Sequence, residues 1–134
     1  MSSQEQRIAL INEFVEKINQ RDIDGLVALA DPNIELTGPR GSGVGHQLLR
    51  DWMGRANMTL ETFATYARDD MAVLAQHGVW HSAEGEEASR ADTFMYFRTG
   101  SRPREALRVV QFARYTDLQE ALVQAGLSLD DEVA

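Results

Sequence analysis

The hydrophobic pattern changes period at Met58, and that change constrains the fold more than any other feature of the chain. Before it, apolar residues recur at helical spacing. Ile8, Ile11, Phe14, Val15 and Ile18 make one such stripe, and Ile23, Leu26, Val27 and Ala30 a second. Val44, Leu48, Leu49, Trp52 and Met53 make a third, in "VGHQLLRDWMGRA". After it, "MTLETFATYARD", "MAVLAQHGVWHSA", "ASRADTFMYFRT" and "REALRVVQFARY" read as four long strands joined by turn residues. A short helix, "TDLQEALVQAG", closes the series at Gly126. One further short strand, "NIELTG", stands before the glycine-rich loop "GPRGSGVG".

Helices first and strands later predict an α+β fold rather than βαβ winding. The expected form is a cone-shaped, curved antiparallel sheet with the helices packed on its concave face and a pocket inside. Ser2 and Ser3 can cap the first helix, with Glu5 and Gln6 completing a capping box. Asp22 can cap the second, and Pro32 should end it. No linker or repeat divides residues 1–134, so a single domain is expected.

Composition narrows the function classes. The chain has no cysteine, which excludes disulfides, thiol nucleophiles and cysteine-based zinc sites. Its net charge of −8 argues against a nucleic-acid partner. "MSSQEQRIAL" lacks the pattern of a signal peptide, and no apolar run approaches a membrane span, so a cytoplasmic protein is expected.

Two motifs carry little. "GSGVGH" lacks the Lys-Ser/Thr ending of a phosphate loop, so Pro39 and the glycines serve a tight turn. His77 and His81 are four apart, which on a strand separates them by roughly 13 Å, too far to share a metal. No metal or other cofactor is expected.

The stretch "SRADTF" carries more. Asp is a poor strand former, yet Asp92 sits at the start of the most apolar part of its strand. Arg90, Asp92 and Phe94 share a face, and the size of Phe94 predicts that this face looks inward. The opposite stripe, Ala91, Thr93, Met95 and Phe97, would then lie outside and seal a homodimer. A two- or four-residue hairpin loop at "EGEE" sets His81 and Val79 opposite Arg90 and Asp92; a three-residue loop sets Trp80 there instead. Asp117 either caps the last helix with Glu120 or joins the polar site, and both roles are compatible.

The helix-rich first half, followed by the meander ending "RYTDLQEALVQAG", resembles the nuclear transport factor 2-like superfamily along nearly the whole chain. It is most similar to the SnoaL-like branch, with its polyketide cyclases and limonene epoxide hydrolase. The resemblance implies a cystatin-like α+β cone and commonly a homodimer. In the hydrolase an Arg-x-Asp strand motif works with an Asp just after the last strand, and Arg90, Asp92 and Asp117 match those positions. The cyclases use an acid/base Asp at the place of Asp117. The hydrolase's water-holding Tyr and Asn fall on Glu35 and Thr37, and ketosteroid isomerase's Tyr and base Asp fall on Phe14 and Thr37.

The expected site is therefore catalytic Arg90, Asp92 and Asp117, with pocket residues Phe14, Trp52, Tyr66, Phe94 and His81 and some contribution from Trp80. An Arg between two carboxylates lets the pair hold one proton, a push–pull arrangement for opening an epoxide or deprotonating carbon beside a carbonyl. The expected partner is a small apolar substrate. The alternatives are a non-catalytic ligand-binding protein and a dimeric interaction module of the same fold.

Overall fold

The computed structural model describes residues 3–38, 41–100 and 107–133. The Ser2 cap, the turn at Pro39 and the turn and strand start placed across 101–106 lie outside the described residues.

Three helices come first: α1 (Ser3–Gln20), α2 (Ile23–Ala28) and, after a hairpin, α3 (His46–Arg55). Asp22 caps α2, its carboxylate accepting from Gly25 N at 2.9 Å. The hairpin is β1 (Ala30–Gly38) with β2 (Gly41–Val44). Part of the expected glycine loop is thus a strand, paired from Glu35↔Val44 to Gly38↔Gly41. Pro32 does not end α2, which stops at Ala28; it sits in β1, where the pairing to the neighbouring strand is interrupted between Ala30 and Glu35. Gly45, at φ 110, turns the chain from β2 into α3, a backbone angle that favours glycine.

The four predicted long strands are β3 (Met58–Arg68), β4 (Met71–His81), β5 (Glu87–Thr99) and β6 (Val109–Tyr115). They form the expected antiparallel meander. Helix α4 (Leu118–Ala125) ends at Gly126 with φ 70. A 3-10 turn (Leu129–Asp131) and a two-residue β7 (Glu132–Val133) follow. The seven strands run in the order β2-β1-β6-β5-β4-β3-β7, with β1 parallel to β6. The architecture is a curved, mostly antiparallel α+β sheet with the N-terminal helices packed on one face.

Each sheet face has its own core. On the inner face Phe14 from α1 meets Phe97 and Phe112 at ring-centroid distances of 5.7 Å each, with Met95, Leu74 and Ile34 around them. On the outer face α4 lays Ala121 and Leu122 against Val73, Ala75, Tyr96 and Ala113. The terminal helix therefore covers the side opposite α1–α3. That explains why "MAVLAQ" reads as an almost unbroken apolar run, since a strand buried on both faces does not alternate.

This second cover also sets the parity of β5. Met95 and Phe97 are fully buried on the inner face, opposite Leu74 and Ala72. Phe94 is half-buried on the outer face, where it packs in the α4 cluster with Tyr115. The inward direction expected for Arg90, Asp92 and Phe94 is thus reversed: Phe94 is sheltered by α4. Of the stripe expected to seal a homodimer, Met95 and Phe97 belong to the core, Thr93 is buried and Ala91 is exposed. Among the described residues no helix is long and apolar enough to cross a membrane.

Candidate functional site

The first half of β5, Glu87 to Asp92, is exposed on both faces. An Arg and an Asp are tolerated there because that half carries no core. Arg90 donates from Nε and one Nη to the two carboxylate oxygens of Glu87, each at 2.7 Å. The hydrogen bond from Arg90, with the Arg90 charge, lowers the Glu87 pKa, and the same hydrogen bond with the Glu87 charge raises that of Arg90. Asp92 pairs across the strands with His77, which donates from Nδ1 at 2.8 Å. The His77 ring stacks on Phe63, 4.3 Å between centroids, where an irregularity in β3 turns Phe63 outward.

Asp117 caps α4, its Oδ2 accepting from Glu120 N at 2.9 Å. Arg90, Asp92 and Asp117 each take a different partner and make no contact with one another among the described residues. The β4–β5 register keeps the odd-to-even pairing of the two- or four-residue loop but is shifted by two residues, setting Val79 rather than His81 opposite Arg90 and His77 rather than Val79 opposite Asp92. A bulge after Trp80 then moves His81 opposite Glu87, and His81 bonds Thr59 Oγ1 at 3.2 Å. Of the expected pocket residues, Phe14 is core and Tyr66 and Phe94 belong to the outer cluster. Trp52 lines the pocket.

That pocket has a volume of about 720 Å³ and lies between α3, the β1–β2 hairpin and β6. Its apolar wall is Leu36, Leu48, Trp52 and Phe112, with Trp52 edge-on to Phe112 at 5.0 Å. Its charged wall is Arg55 and Arg114. Among the described lining residues none is Asp, Glu or His.

Arg114 is held from two sides. Its Nε donates to Thr93 Oγ1 at 2.9 Å, and its guanidinium carbon lies 4.9 Å from the centre of the Trp80 ring. That ring lies across Gly78, where an added Cβ would come within 2.8 Å of it. Arg114 is exposed, and the partial burial of its side chain lowers its pKa. A guanidinium keeps its charge regardless. Beside Thr93, Gln76 is fully buried, its Nε2 donating to Thr62 Oγ1 at 3.2 Å while its Oε1 has no partner among the described residues.

Solved structures match this architecture over most of the chain. A protein of unknown function from Burkholderia pseudomallei, described as NTF2-like, aligns with TM-score 0.68 and 19% identity, over 93% of this chain and 98% of that one. The fold is that of the nuclear transport factor 2-like proteins. SalBIII shares it, at TM-score 0.71 and 13% identity over 89% of this chain and 96% of its own. It is described as an epoxide hydrolase/cyclase-like enzyme with a role in pyran ring formation in the polyether salinomycin. TerC, crystallised with polyporic acid, aligns at TM-score 0.68 and 17% identity, over 89% and 96% of the two chains. At such identities the likeness concerns the fold, which hosts many functions. No family model and no curated protein matches the sequence.

The sequence expectations passed over Arg114, Arg55, Leu36, Leu48 and Phe112. The available signal was alternation: once Phe112 faces inward, Arg114 two residues on must share its face.

Proposed function

We propose that this chain binds a small, largely apolar organic ligand in the pocket between α3, the β1–β2 hairpin and β6. The pocket itself carries the proposal. Its volume of about 720 Å³ falls within the range of small-molecule sites, about 300–1,000 Å³, and its floor is aromatic and aliphatic. The wall favours binding over acid–base turnover. A general base must come within hydrogen-bond reach of the proton it takes, and no described lining residue offers a carboxylate or imidazole. TerC with polyporic acid and the cyclase-like SalBIII support an organic molecule as the occupant.

The neutral fluorescent probe N-phenyl-1-naphthylamine tests this. The wild type should bind it with a bright, saturable signal. Leu48→Trp, which fills the space, should lose that signal while keeping a cooperative melt. Arg90→Leu, Asp92→Asn and Phe63→Ser, all on the outer face, should bind as the wild type does. Probe binding that survives Leu48→Trp and disappears with Phe63→Ser would move the ligand surface to the outer face and end the proposal.

A further inference from the structure

We infer that the ligand is an organic anion, a flat apolar acid whose carboxylate or enolate oxygens dock on Arg114. The inference rests on the pocket reading above and adds the charge of the occupant.

The first observation is a charge without a counterpart. The chain has 21 acidic against 13 basic residues, so a wall of average composition would be acidic. The described lining instead holds two arginines and no carboxylate. No ion pair engages Arg114 or Arg55 among the described residues, whereas Arg50, Arg68 and Arg90 pair with acids and Arg7 and Arg21 bond backbone carbonyls. Arg55 has a partial structural explanation, because a cation in the last turn of α3 suits the helix dipole. Arg114 lies on a strand, not in the last turn of a helix, and its contacts with Thr93 and Trp80 bring no opposite charge.

The second observation is orientation. Trp80 beneath the guanidinium and Thr93 at Nε fix the plane of Arg114. Both Nη atoms remain without an acceptor among the described residues, and together they carry four N–H groups. A guanidinium held by its Nε edge presents the fork that matches two oxygens of one planar anion. The aromatic pair Trp52 and Phe112 on the same wall suits a flat ring system attached to that anion.

A matched pair of probes tests the charge alone: 2-naphthoate and 2-naphthamide have the same shape, and only the first is anionic at pH 7. Binding is followed by calorimetry, with the fluorescence of the chain's two tryptophans, Trp52 and Trp80, as a second signal. Wild-type protein should prefer the naphthoate by about tenfold or more, the scale of a charge-assisted bidentate contact. Arg114→Gln should remove most of that preference, read as the ratio of the two affinities in the same variant. Arg114→Lys, which keeps the charge but not the fork, should fall between them. Equal affinity of wild type for both probes, or a preference unchanged in both variants, overturns the anionic assignment while the pocket reading survives through the amide. Failure of the wild type to bind either probe overturns both.

Discussion

Arg90 and Arg114 lie on neighbouring strands of one sheet, and their surroundings are opposite. Arg90 sits on the exposed arm of β5 and gives two donors to Glu87 three residues away. Its side chain is 71% exposed, so that pair is a solvated one of little energetic weight. Arg114 has an alcohol and an indole face for company and no carboxylate among the described residues. One charge is neutralised where water would have screened it anyway. The other stands unneutralised beside an apolar pocket. The same residue type is satisfied by a neighbouring carboxylate in the first place and by a hydroxyl and a ring face in the second.

The sharpest way to break this comparison is to release Arg114 without removing it. Thr93 is fully buried, and its hydroxyl receives Arg114 Nε. Thr93→Val keeps the shape and deletes the acceptor. Losing one hydrogen bond of about 1 kcal/mol corresponds to about fivefold in affinity for 2-naphthoate. Naphthamide binding should not move, and the conservative Thr93→Ser should restore the naphthoate affinity. If Thr93→Val weakens both probes equally, Thr93 shapes the pocket rather than orienting the arginine.

The sequence displayed the fold more openly than the site, for a physical reason. Element type follows from period, and the switch at Met58 is visible along the whole second half of the chain. The direction of a strand's two faces follows from what covers them. Phe94 looked too large to leave outside, and the inference was sound as far as it went. The helix α4 is visible in the sequence but the face it covers is not, and its Ala121 and Leu122 create a second apolar environment on the outer side. That one hidden placement reversed β5, took Arg90 and Asp92 to the surface and brought Met95 and Phe97 into the core. His77, of interest in the sequence only for its spacing from His81, is the partner of Asp92. Arg114 stayed hidden because an arginine near a strand end has the same letter whether it lines a pocket or faces water.

Asp117 gives a smaller test of the same contrast, between polar groups occupied by the fold and those left open. Its carboxylate is occupied by the N-terminus of α4. Asp117→Ala should cost about 1 kcal/mol of stability, the usual value of an N-cap, and Asp117→Asn only a few tenths. Neither should change the affinity for 2-naphthoate. Urea unfolding read beside probe titration checks this. A loss of binding in Asp117→Asn with unchanged stability would make Asp117 part of the site and remove the distinction.

The smallest effect belongs to Arg90 itself. The hydrogen bond from Arg90, assisted by its charge and that of His81, depresses the pKa of Glu87. A carboxylate whose pKa is lower folded than unfolded stabilises the fold above its unfolded pKa. That contribution disappears as the pH falls through the folded value. Arg90→Leu should therefore move the Glu87 titration upward, toward an ordinary glutamate, and flatten the acid limb of the stability curve slightly. Because both partners are in solvent, salt should produce part of the same change in the wild type. At neutral pH the variant should melt with the wild type and bind 2-naphthoate equally well. NMR titration of the Glu87 carboxyl and a thermal melt measure the two halves. A melt lowered by many degrees would mean that Arg90 supports the core. A naphthoate affinity lowered as far as in Arg114→Gln would mean that the two arginines serve one site, and the contrast between them would not stand.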